Sequence, residues 1–193
     1  MSNEDYPGRE ILGGGSAKKV LKRLIDGDPL EIGPRCQERI EESAVFVAWD
    51  RLWLRAVARV AYAAPNYRGT PPLDVFLAEW IDVAIGDLIT EDREEDRKGV
   101  PVSTPWDPRY AFVSEQVGID PALARSACIR FNDLALDVRR TYFAVALGKK
   151  TFNRWVAEGN GPPDAIRSQL KQAFEALSIP YDEGGFGGKG GDA

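Results

Sequence analysis

Eight polar side chains near the C-terminal end carry chemistry suited to nucleic acid: Lys149, Lys150, Arg154, Arg167, Ser168, Gln169, Lys171 and Gln172. Arginine, glutamine and serine can hydrogen-bond the edges of bases in a major groove, and lysine can anchor phosphate. Ile166, Leu170, Ala173 and Leu177 recur at helical spacing between them. A helix that buries this apolar stripe carries Arg167, Ser168, Gln169, Lys171 and Gln172 on its other faces.

Other chemistries find little material. The chain has no histidine, which removes serine–histidine and cysteine–histidine catalysis and the usual histidine-rich metal sites. Cys36 and Cys128 fit no metal or redox spacing and read as small buried thiols in a reducing compartment. The run Gly13-Gly14-Gly15-Ser16-Ala17-Lys18-Lys19 lacks the spacing of a phosphate loop and reads as a flexible lead-in. The acidic residues at 91–96 have no shaped pocket for a cation. We therefore expect no enzyme, no cofactor and no metal site.

Three helices must position the eight residues. The pattern predicts an apolar helix from Leu136 to Leu147, a basic break at Gly148-Lys149-Lys150-Thr151 and a short helix from Phe152 to Glu158. A Gly159-Asn160-Gly161-Pro162-Pro163 turn then leads to a helix over Asp164–Leu177, where proline suits the first turn. Helices joined by a tight glycine turn can lay the last one in a DNA groove, so a helix-turn-helix is expected.

Upstream, Ser16 caps a helix through Ile25, and a helix over about 34–64 has its break point near Ser43. Residues 65–72 form a turn before a helix from Leu73 to Thr90. The charged run 91–98 reads as a solvated helix end, and 99–121, with four prolines, as a linker. The expected fold is all-α, in two helical lobes joined by a proline-containing linker. Its parts are a disordered tail (1–15), a helical domain (16–98), the linker (99–121), a helix-turn-helix domain (122–179) and a glycine-rich tail (180–193). No apolar run is long enough to span a bilayer and the first residues carry no export signal, so we expect a cytoplasmic protein without membrane partners.

Charge is uneven. The net of −5 lies in residues 1–100, which hold 14 basic and 19 acidic residues, whereas 137–177 holds seven basic and four acidic. Phosphate neutralisation supplies most non-specific affinity, so DNA binding should be weak and confined to the C-terminal lobe.

That lobe resembles the C-terminal domain of bacterial RNA polymerase sigma factors of the extracytoplasmic-function group. The resemblance rests on the ungapped run Pro162-Pro163-Asp164-Ala165-Ile166-Arg167-Ser168-Gln169-Leu170-Lys171-Gln172-Ala173-Phe174-Glu175-Ala176-Leu177, with Leu134, Arg139, Arg140 and Tyr142 before it. The N-terminal lobe is similar to the same family's promoter-melting domain through Tyr67-Arg68-Gly69, Phe76-Leu77, Trp80, Ala84 and Asp87-Leu88-Ile89. It departs from the family where Val83 replaces an asparagine, Gln169 and Gln172 replace arginines, and Glu91-Asp92-Arg93-Glu94-Glu95 replaces a basic cluster. The resemblance implies a transcription initiation factor. It would bind core RNA polymerase, near Asp50 and Arg51, and double-stranded promoter DNA through the eight residues above. An antagonist protein would complete its partners. The acidic residues of 74–96 imply the alternative, a sigma-derived interaction regulator that has lost promoter melting.

Overall fold

The computed structural model describes residues 6–101, 108–148 and 150–182. Residues 1–5 and 183–193 of the expected tails, 102–107 of the expected linker, and Lys149 lie outside the described residues. Among the described residues there are ten α-helices and no strand, so the fold is all-α.

The chain divides into two units, and the division is not linear. Unit 1 comprises residues 1–40 and 47–94, and unit 2 comprises 41–46 and 95–193. The first unit holds α1 (Arg9–Leu12), α2 (Ala17–Ile25), most of α3 (Ile32–Ser43), α4 (Trp49–Ala63) and most of α5 (Leu73–Arg97). The second holds α6 (Pro108–Val117), α7 (Pro121–Asn132), α8 (Leu136–Val145), α9 (Phe152–Ala157) and α10 (Pro163–Leu177).

In unit 1, Val20 and Leu24 of α2 pack on α4, whose buried stripe is Leu52, Ala56, Val57 and Val60. Leu77, Ile81 and Leu88 of α5 are also buried. The start of α3 is fixed by Asp28, whose carboxylate accepts from the backbone N–H groups of Ile32 (2.8 Å) and Gly33 (2.7 Å). These are orphan donors at a helix start, which a carboxylate satisfies well. A side chain at Gly33 would push its Cβ to 3.2 Å from that carboxylate. Cys36 is buried one turn later, and burial, with Asp28 nearby, pushes its thiol up to about 12.

The structure corrects one expectation in this unit and sharpens two. Residues 6–15, expected to be disordered, are built in: Tyr6 packs edge-on against Tyr67 with centroids 5.1 Å apart, and Leu12 is buried in α1. The break expected near Ser43 within 34–64 is where α3 ends: Ala44 turns to φ +47° and a second helix, α4, begins at Trp49. The run 91–98 is a largely exposed helix end, but α5 continues through it to Arg97 and Asp92 within it is buried.

The reason for the longer helix is a charge ladder between α4 and α5. Arg51 bonds Glu91 (2.9 Å) and Asp92 (3.1 Å), Arg55 bonds Glu91 (2.6 Å), and Arg59 bonds Asp87 (2.6 Å). The arginines recur every four residues, as do Asp87 and Glu91, so each set shares one helix face. Arg35–Asp74 (2.8 Å) and Arg39–Asp82 (2.5 Å) join α3 to the same helix.

Unit 2 is built on Phe131, Cys128, Tyr142, Ala173 and Leu177, joined by Tyr110, Val113 and Ile119. The last three lie within the expected linker, which therefore carries α6 as part of this core. Pro108 opens α6 and Pro121 opens α7, whose N-cap Asp120 accepts from the Ala122 N–H at 2.9 Å. Proline is well tolerated at a helix start, which is why a proline-rich stretch here is not a spacer.

Candidate nucleic-acid interface

Three helices of unit 2 carry the residues expected to face DNA. α8 and α10 pack together, and α9 lies against α8. A second small core of Val145, Phe152, Ile166 and Leu170 fills the space beneath them. Thr151 caps α9, its hydroxyl accepting from the Arg154 N–H at 3.3 Å. Gly159 ends α9 at φ +82°, a conformation that suits glycine.

A polar chain centred on the buried Thr141 hydroxyl links the three helices. The Thr141 hydroxyl donates to Gln169 Oε1 at 2.7 Å and accepts from Trp155 Nε1 at 3.2 Å. Gln169 Nε2 then donates to Asp137 at 2.9 Å. Thr141 belongs to α8, Trp155 to α9 and Gln169 to α10, so one chain of bonds touches all three. Such networks specify geometry because a misplaced member is left unsatisfied.

Of the expected DNA contacts, Arg167, Ser168, Lys171 and Gln172 are exposed on α10, with Asp164 and Glu175 at the two ends of the same face. Gln169 is half-buried and its amide is engaged by Thr141 and Asp137 of α8. Arg154 is exposed on α9 and Lys150 lies just before it.

Most of these cations already have partners. Glu158 holds Lys150, and also Arg154 at 3.1 Å, while Asp164 holds Arg167 at 2.9 Å. Arg167 also lies over the Phe152 ring at 5.3 Å, and Lys150 over the Trp155 ring at 5.0 Å. The Lys150 hydrogen bond, then that of Arg154, keeps the Glu158 carboxyl below the usual carboxylate range. The clasp is thus closed at neutral pH and opens only as pH falls through that lowered value. We expect Glu158→Gln to release both cations. Non-specific duplex binding should rise and the salt slope should steepen by up to about 2, roughly 0.9 for each cation that reaches a phosphate, in fluorescence anisotropy titrations. An unchanged slope would put Lys150 and Arg154 away from the phosphates.

In unit 1, Asp50 and Arg51, expected to bind polymerase, lie on different faces of α4. Arg51 turns to α5 and its carboxylates. Asp50 lies on an exposed face with Leu54, Ala58 and Tyr62, where Leu54 is 57% and Tyr62 74% exposed. The four-residue spacing of Asp50, Leu54, Ala58 and Tyr62 was the available signal: α4 is apolar on two faces and needs only one for its core. The Gly13–Gly15 stretch lines a cleft of ≈ 720 Å³ with Arg9 and Arg68. Arg68 Nη1 donates to the carbonyls of Pro65 and Tyr67 at the edge of that cleft. Among the described residues no group of three potential ligands gathers as a metal ion would require, and no helix is long and apolar enough to cross a membrane.

No family model, no curated protein and no solved structure matches the chain.

Proposed function

We propose that the protein is a sigma-like transcription initiation factor that binds core RNA polymerase and recognises promoter DNA through a helix-turn-helix formed by α9 and α10. The observation that carries this reading is the exposed face of α10. Arg167, Ser168, Lys171 and Gln172 project together from a helix whose opposite stripe, Ile166, Leu170, Ala173 and Leu177, is fully buried. A rigid helix with donors and acceptors on one free face is what major-groove readout requires. Core polymerase would dock on the α4 face of Asp50, Leu54, Ala58 and Tyr62, where exposed apolar side chains favour a protein partner.

A second reading, an interaction regulator that has lost promoter melting, is favoured by the α4–α5 ladder. Arg51, Arg55 and Arg59 are held by Asp87, Glu91 and Asp92, so these cations already have anionic partners where single-stranded DNA would need them. The two readings separate in one experiment: capture of core polymerase by the full-length chain, then run-off transcription from a genomic library. Capture with discrete transcripts supports initiation. Capture without transcripts supports the regulator. Failure to capture polymerase overturns both.

Within the first reading, Arg167→Ala should cost roughly 1–3 kcal/mol on a selected site if the guanidinium reads a base. Lys171→Ala should weaken all sequences alike and flatten the salt slope by about 1. If neither variant alters binding, α10 does not face DNA.

A further inference from the structure

The loop Gly13-Gly14-Gly15, read from the sequence as a flexible lead-in, is one wall of the ≈ 720 Å³ cleft in unit 1. That volume lies within the range of small-molecule sites, about 300–1,000 Å³. Each glycine has its own reason. A side chain at Gly13 would bring its Cβ to 2.5 Å from the Arg9 carbonyl and 3.1 Å from the Arg9 stem. Gly14 sits at φ +68°, and a Cβ there would meet nothing within 4 Å. At Gly15 a Cβ would come to 3.2 Å from that of Lys19. The wall is therefore bare backbone with Arg9 and Lys19 laid along it. Arg23 ties the loop down from α2, its Nη1 donating to the carbonyls of Ile11 (2.9 Å) and Gly13 (3.1 Å). Arg68 lines the same cleft. The carbonyls of Pro65 (2.7 Å) and Tyr67 (2.8 Å) hold its Nη1, which fixes the guanidinium and leaves Nε and Nη2 without an acceptor among the described residues.

The charge here runs against the rest of the unit. Residues 9–23 hold five cations and one carboxylate, Glu10. Elsewhere in unit 1, Arg35, Arg39, Arg51, Arg55 and Arg59 each meet a carboxylate. Lys18, Lys19, Lys22, Arg23 and Arg68 form no ion pair among the described residues. Carboxylates are in excess in this chain of net charge −5, so cations left unpaired around a cleft create a local field for an external anion. Glu10 lines the cleft as well and pairs with none of these cations. An ionised carboxylate only accepts hydrogen bonds, and hydroxyls carried beside a phosphate would satisfy it.

We propose that this cleft binds a small molecule in which phosphate is joined to a hydroxylated sugar, a nucleotide or a sugar phosphate. Arg9, Lys19 and Arg68 take the phosphate, the bare backbone at Gly14 lets it approach closely, and the Glu10 carboxylate accepts from the sugar hydroxyls. The proposal is independent of whether α10 binds DNA. It gives unit 1 a ligand of its own.

The test uses the full-length chain in isothermal titration calorimetry at physiological salt, with ADP, ribose 5-phosphate and dideoxy-ADP, which lacks both sugar hydroxyls, as probes. ADP or ribose 5-phosphate should bind saturably with a dissociation constant below about 1 mM. Arg68→Gln and Lys19→Gln should each weaken that binding about tenfold or more. Lys19 is exposed, so its variant stays informative if Arg68→Gln, which gives up two carbonyl bonds, loses helical circular dichroism. Where ADP binds, dideoxy-ADP, equal in charge, should bind the parent about tenfold more weakly, and Glu10→Ala should erase that difference. Tighter binding of ADP than of ribose 5-phosphate assigns a nucleotide, and equal or weaker binding a sugar phosphate. No saturable binding of either at millimolar concentration, affinities unchanged in both cation variants, or a hydroxyl preference that survives Glu10→Ala would overturn the proposal. So would duplex DNA whose binding falls in both cation variants while neither small molecule binds, because that pattern marks a nucleic-acid surface.

Discussion

Phe131→Ala is expected to lower the stability of unit 2 by about 3–5 kcal/mol, the range for removing a large aromatic from a packed core. Its ring has no exposed surface and meets Phe46, Tyr142 and Phe143 at centroid distances of 4.7, 5.2 and 6.0 Å. The gap left by alanine cannot close easily, because each neighbouring ring is held by others: Phe46 by Phe143, and Tyr142 by Phe174. At roughly 2–4 °C per kcal/mol for a chain of this size, the melting temperature should fall by about 10 °C. Urea melts followed by circular dichroism measure it. A loss below about 1 kcal/mol would mean that the rings do not pack as one cluster.

Arg51→Ala carries the other large effect, and it isolates one rung of the α4–α5 ladder. The Asp92 side chain is 7% exposed and that of Arg51 21%, whereas those of Arg55 and Arg59 are 32% and 38% exposed. Removing one partner of a buried pair costs about 3–5 kcal/mol, and the partial exposure of Arg51 lowers this to about 2–4. The outer rungs, broken by Arg59→Ala, should each cost only about 0–1 kcal/mol. A double-mutant cycle of Arg51→Ala with Asp92→Asn should return a coupling of about 1–3 kcal/mol in the same urea melts. If both single variants stay within about 0.5 kcal/mol of the parent, the ladder does not hold α4 to α5.

Elements whose causes lie in a single sequence window were legible. α10 follows from Pro162-Pro163 and the stripe Ile166, Leu170, Ala173 and Leu177, and both its ends fall within a residue of the expected bounds. The errors arise where the cause is distant. The acidic run after Thr90 looks solvated by itself and becomes part of a helix only opposite Arg51, Arg55 and Arg59. Proline in 99–121 suggested a spacer, and only the burial of Tyr110, Val113 and Ile119 marks α6 as core. In the candidate interface, Arg167, Ser168, Lys171 and Gln172 could be assigned to an outer face by period alone. Gln169 could not, because what turns it inward is Thr141 and Asp137 on another helix. The bonds between Phe46 and Asn132 join positions 86 residues apart, beyond any local pattern.

That separation also sets an order of events on the ribosome. Residues 42–46 are made early, between segments that can fold together as soon as α5 is complete. The residues they pack against are made late, since Asn132 follows Phe46 by 86 residues and α10 closes the core only at Leu177. At about 5–20 residues per second the segment waits some 4–17 s for Asn132 to be added. Throughout that interval a nascent chain bears Phe46, set between Val45 and Val47, without its partners from α7 and α8. Unit 2 is then completed by capturing a piece of the protein that was already there.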